Sequence, residues 1–175
     1  MLFPLLILGF AMNWAVGTAE AADSTDEEDL KISYILKFPQ FVEWPKSSLP
    51  DADGTFDICV VSGDELTSIS EALDGKQIRL KRIVVMDARR TNSIANCRVL
   101  YIGKSESWRV RSILAQIGDK PILTISDAEN FAQEGGIVGL VKRDNHLKFE
   151  INLKRAKQAG LYIPAQLAQL ATKAF

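Results

Sequence analysis

Histidine and cysteine are scarce in this 175-residue chain: one histidine, His146, and two cysteines, Cys59 and Cys97. Two cysteines without an accompanying histidine cannot close a structural zinc site. His146 falls in the turn Arg143-Asp144-Asn145-His146, where a surface imidazole is the simpler reading than a general base. Neither sign of charge dominates: the formal net charge is -1. That balance gives no broad electrostatic footprint for nucleic acid. The chain also lacks a G-x-S-x-G elbow and an H-E-x-x-H pair. Gly103-Lys104-Ser105 resembles the end of a phosphate loop, but Arg98 stands where that motif needs its first glycine. Carboxylates are plentiful, yet none pair at a spacing that marks acid–base work. The residues therefore point away from catalysis and call for no metal or cofactor.

One long apolar run is present, over residues 2–16. It is short for a membrane span. Ala19-Glu20-Ala21 follows, with small residues where a signal peptidase reads. Residues 1–22 are thus expected to be a signal peptide cleaved near Ala21 or Ala22, which implies export to the periplasm. No Lys or Arg precedes the run, a departure from the usual pattern. Residues 23–29 read as an acidic junction that caps a helix starting near Asp29. Residues 30–175 are long enough for one domain with its own core.

Residues 32–45 concentrate apolar and aromatic side chains: Ile32, Tyr34, Ile35, Leu36, Phe38, Phe41, Val42 and Trp44. Helical spacing places several on one face, and Pro39 is expected to kink or end the helix. The segment reads as a first core helix, with Phe38, Phe41 and Trp44 also candidates for contact with a partner.

Short apolar runs then alternate with helical patterns. Residues 56–61, 77–86, 97–102 and 121–125 read as strands, and residues 65–73 and 106–117 as helices. Asp64 is a candidate helix cap. Residues 137–141 and 147–153 form an expected antiparallel hairpin. A helix up to Ala159, closed by Gly160, and a last helix over 164–174, with Leu167, Leu170 and Ala171 inward, complete the reading. The fold class is α/β: a three-layer sandwich with a mixed, mostly parallel sheet, a C-terminal antiparallel hairpin and helices on both faces.

In such sheets, ligands gather outside the C-terminal strand ends. Ser62, Gly63, Asp87, Gly103, Lys104, Ser105, Ser126 and Asp127 would ring a crevice there. Capping and turn formation account for most of them equally well. Cys59 and Cys97 could form one disulfide or remain two buried thiols.

An ordered set of segments carries a family resemblance. It runs through Tyr34-Ile35-Leu36-Lys37-Phe38, Phe41-Val42-Glu43-Trp44-Pro45, Phe56-Asp57-Ile58-Cys59-Val60 and Leu73-Asp74-Gly75-Lys76. It continues through Cys97-Arg98-Val99-Leu100-Tyr101-Ile102-Gly103, Pro121-Ile122-Leu123-Thr124-Ile125-Ser126-Asp127, Gly135-Gly136-Ile137-Val138-Gly139 and Phe149-Glu150-Ile151-Asn152-Leu153. In order and spacing the chain resembles the YfiR-like family of exported bacterial proteins. The resemblance implies a non-catalytic periplasmic repressor. Such a protein binds the periplasmic part of an inner-membrane diguanylate cyclase, lowers cyclic di-GMP, and can be sequestered by an outer-membrane lipoprotein. It also implies a homodimer and a Cys59–Cys97 disulfide. A second cysteine pair found late in some members is missing here. The alternative from the residues alone is a small-molecule sensor that uses the strand-end crevice.

Overall fold

The computed structural model describes residues 19–48, 54–89 and 93–175. The expected signal peptide lies outside them, save its last four positions. Helix α1 (Ala19–Phe41) opens the described chain. It begins ten residues before the expected start, so the acidic stretch 23–29 is helical rather than a junction. Glu27 meets Lys31 one turn on, at 3.8 Å. Pro39 lies inside the helix, and only the last turn follows it.

Eight strands form one sheet in the order β2-β3-β1-β4-β5-β6-β7-β8. They are β1 (Phe56–Val61), β2 (Gln77–Ile78), β3 (Lys81–Asp87), β4 (Val99–Ile102), β5 (Leu123–Ser126), β6 (Val138–Arg143), β7 (His146–Ile151) and β8 (Lys173–Ala174). The run β3-β1-β4-β5-β6 is parallel. The β6–β7 hairpin is antiparallel, and β8 pairs parallel to β7. Helices α2 (Leu66–Leu73), α3 (Val110–Ile117), α4 (Leu153–Gln158) and α5 (Ala165–Leu170) complete the layers.

Period-two alternation sorts the strand residues. Phe56, Ile58 and Val60 of β1 and Val99 and Tyr101 of β4 join the core under α1. Cys59, Val61, Leu100 and Ile102 join the core under α3. Both faces are covered, which is why β4 reads as an unbroken apolar run and β1 as one broken only by Asp57. Cys59 and Cys97 form a disulfide on the α3 side, with Cα atoms 5.8 Å apart.

Four readings need correction. The expected strand over 77–86 is a tight hairpin, β2 and β3, with Arg79 and Leu80 both at positive φ (50° and 66°). Such a turn usually carries Asn or Gly, so residue type concealed it. Arg79 earns its place through its side chain, which donates to the Val42 and Gln40 carbonyls and lies over the Trp44 ring. Leu80 is exposed and has no such role among the described contacts. Leu80→Gly is therefore expected to raise stability by about 0.5–1 kcal/mol, read as a higher thermal midpoint. At α2, Glu65 takes the cap position and Asp64 is exposed. The last helix stops at Leu170, with Leu170 exposed rather than inward, and β8 follows.

Candidate functional site

The chain leaves β1 toward β3 on one side and leaves β4 toward β5 on the other. The C-terminal ends of β1 and β4 thus flank the switch point, where α/β sheets place their ligands. Here the space is filled from within. Lys31 reaches down from α1, and its Nζ lies 2.7 Å from Asp127 Oδ2 and 3.2 Å from Glu65 Oε1. Tyr101 at the end of β4 donates its hydroxyl to the Glu65 carboxylate, at 2.9 and 3.0 Å. Ser62 Oγ donates to Glu65 Oε2 at 3.1 Å and accepts from the Glu65 amide at 3.3 Å.

Gly103 fits against this cluster because it has no side chain. A Cβ there would stand 2.6 Å from both Glu65 Oε2 and Ser62 Oγ. Burial by itself would lower the Lys31 pKa. The hydrogen bond and charge of Asp127, with the charge of Glu65, outweigh it and hold the ammonium above its ordinary value. Burial, then the charges of Asp127 and Glu65, push the Tyr101 phenol up as well. Both groups hold their protons more firmly folded than unfolded. Their contribution is fully present below about pH 10, near their unfolded values, and is lost as pH rises beyond. Wild-type protein is therefore expected to lose stability steeply above about pH 10. Urea midpoints across that range check this, and a Lys31→Met, Tyr101→Phe double variant should show a flatter slope.

Of the residues expected to ring the crevice, Ser62, Gly103 and Asp127 converge on this cluster. The others serve elsewhere. Asp87 holds Arg89 through two oxygens, Oδ1 accepting from Nε and Oδ2 from Nη2, with Gly63 beside that guanidinium. Ser126 is buried and accepts from the Ala128 amide. Lys104 and Ser105 are exposed on the outer rim. Lys31, Glu65 and Tyr101 were not read from the sequence as site residues. A lysine in an amphipathic helix looks like a solvated one, but the Ser62-x-x-Glu65 spacing was a usable capping signal. Among the described residues, no group of His, Cys, Asp and Glu is arranged to hold a metal ion.

The aromatic segment needs a correction too. Phe38 is 2% exposed and Trp44 6%, so neither can meet a partner. Phe38 packs on Tyr34 and Phe149, with ring centroids 5.4 and 4.9 Å away. Trp44 packs edge-on against Phe56 and donates its indole N–H to the Pro121 carbonyl at 3.0 Å. Phe41 alone of the three is exposed, at 53%. The expectation failed because α1 turns Phe38 onto the sheet and the chain just past the helix end turns Trp44 inward.

The crystal structure of a conserved domain protein from Vibrio cholerae O1 biovar El Tor str. N16961 superposes with a TM-score of 0.54 at 15% identity. The match covers 85% of this chain and 60% of that one, so this chain spans under two thirds of its length. At that identity the likeness shows the fold. No curated protein matches. A family model matches residues 28–172, the span that holds β1 to β7, the disulfide and the Lys31 cluster, and the chain belongs to the YfiR/HmsC-like family.

Proposed function

We propose that this protein is a non-catalytic periplasmic regulator that binds the periplasmic part of an inner-membrane diguanylate cyclase and represses it. Cyclic di-GMP signalling falls as a result. Family membership over residues 28–172 carries the reading. Two features support it. The Cys59–Cys97 disulfide suits an oxidising compartment. The crevice where a small ligand would sit is occupied by Lys31. Among the described residues, no helix is long and apolar enough to cross a membrane. The regulator acts as a homodimer on this reading, and an outer-membrane lipoprotein sequesters it.

A pull-down of residues 22–175 against the periplasmic segments of the host's membrane-anchored cyclases tests this. Specific capture of one cyclase, weakened by Phe41→Ser without loss of folding, is expected. Absence of capture from the whole set would sink the reading. A second reading, a small-molecule sensor, draws on a cavity of about 420 Å³ lined in part by Lys104 and Asp127. A thermal-shift screen against periplasmic metabolites separates the two.

A further inference from the structure

Helix α1 has two unlike halves. From Ile35 onward it is built into the core, with Ile35, Phe38 and Val42 buried. Before Lys31, Asp26, Asp29 and Leu30 are exposed. This half is tied down by polar side chains. Glu27 meets Lys142 at 3.0 Å, and Glu28 accepts from the Ser68 hydroxyl. Cavities of about 420 and 310 Å³, both lined by Glu27 and Leu147, undercut it. Lys31 is its deepest anchor, with 15% of its side chain exposed.

The receiving side does not depend on α1. Glu65 is fixed by Tyr101, Ser62 and the close approach of Gly103, and Asp127 follows β5. The Asp127 side chain is 10% exposed. Its Oδ1 is buried with no hydrogen-bond partner among the described residues. The cradle therefore has acceptor capacity that Lys31 leaves unused. Its shape suits a compact charge with three donors rather than a planar guanidinium. Nζ meets single oxygens of Asp127 and Glu65 at 2.7 and 3.2 Å, whereas its 3.8 Å contact with Glu27 lies within α1 itself.

We propose that the Glu65–Tyr101–Asp127 cradle is a primary-ammonium site that Lys31 fills in cis, and that a lysine of the partner protein takes its place when the first half of α1 lifts. Only the source of the incoming lysine rests on the regulator reading; the site itself does not.

The test uses Lys31→Ala and n-butylammonium, a primary ammonium on an alkyl chain as long as the whole lysine side chain. Thermal midpoints of variant and wild type are measured against rising n-butylammonium, with tetramethylammonium at equal concentration as control. The variant's midpoint should rise with the logarithm of concentration above Kd, by about 3–6 °C at roughly ten times Kd, while wild type does not respond. An equal response in both proteins, or an equal effect of tetramethylammonium, overturns the site. If Lys31→Ala does not fold, hydrogen exchange of the wild type decides. Amides of residues 26–33 should exchange at least about tenfold faster than those of 35–41, as expected for a locally opening segment. Uniform protection along the helix overturns the lifting half. For the trans occupant, a captured cyclase segment should lose binding when its lysines are acetylated, and unchanged binding overturns that step. Failure of all capture counts against the regulator reading, whereas the n-butylammonium result bears on the cradle alone.

Discussion

Replacing both cysteines, Cys59→Ala with Cys97→Ala, is expected to cost about 3–4 kcal/mol. The bridge closes a segment with a sequence separation of 38, and its loss returns that loop's freedom to the unfolded chain. The effect is not only entropic. Cys59 is 2% exposed and Cys97 is fully buried, under α3 with Ile94, Val110 and Ile113. Urea unfolding of the double variant against the oxidised wild type gives the number. The same burial makes a second forecast. Dithiothreitol should leave the bridge intact in the folded protein, and free thiols should appear only as the protein unfolds. Rapid thiol labelling under native conditions would show that the bridge is open to solvent and able to act as a redox sensor. A shielded bridge instead makes it a fixed part of the fold, and partner capture should then be indifferent to mild reductant.

The second large effect is expected at Gly136. An added Cβ would lie 2.1 Å from Phe131 Cε1 and 2.3 Å from Cδ1. The ring cannot swing outward, because Phe131 is 1% exposed in the α3-side core. The backbone cannot easily retreat either. Gly136 donates to the Phe131 carbonyl at 2.9 Å, and the next amide, Ile137, donates to Thr124 Oγ1 at 2.9 Å. Gly136→Ala is therefore expected to destabilise by about 3 kcal/mol, at the upper end of overpacking costs. Adding Phe131→Leu should recover part of that loss, since the leucine lacks the ring atoms in conflict. Chemical denaturation of both single variants and the double variant yields the coupling. Additive losses would mean that the ring and the glycine do not oppose each other.

The sheet was legible in the sequence for a physical reason, whereas the disulfide pairing came from the family resemblance. Strands covered on both faces read as near-continuous apolar runs, and residues 56–61 are apolar at every position but Asp57. The β6–β7 hairpin was legible from its alternation and polar turn. The Lys31 cluster was not. Its members stand 34 and 96 positions from Lys31, and neither periodicity nor local motif links a lysine to carboxylates that far away. The hairpin at Arg79 and Leu80 escaped because its turn uses residues that rarely adopt positive φ. Phe38 and Trp44 were offered as contact residues because aromatic richness alone does not separate core from surface. Their indole and ring partners come from β1, β7 and the turn before β5.

Both rims of the sheet end in strands of two residues, β2 and β8. So short a rim offers another chain almost no template for strand addition. β8 also shields the inner part of β7, whose Phe149 and Ile151 carbonyls accept from Thr172 and Phe175. Removing residues 172–175 would uncover that ladder beside a strongly apolar strand. A chain shortened in this way should remain folded yet self-associate into β-rich aggregates on concentration, so the last four residues act as a guard on solubility.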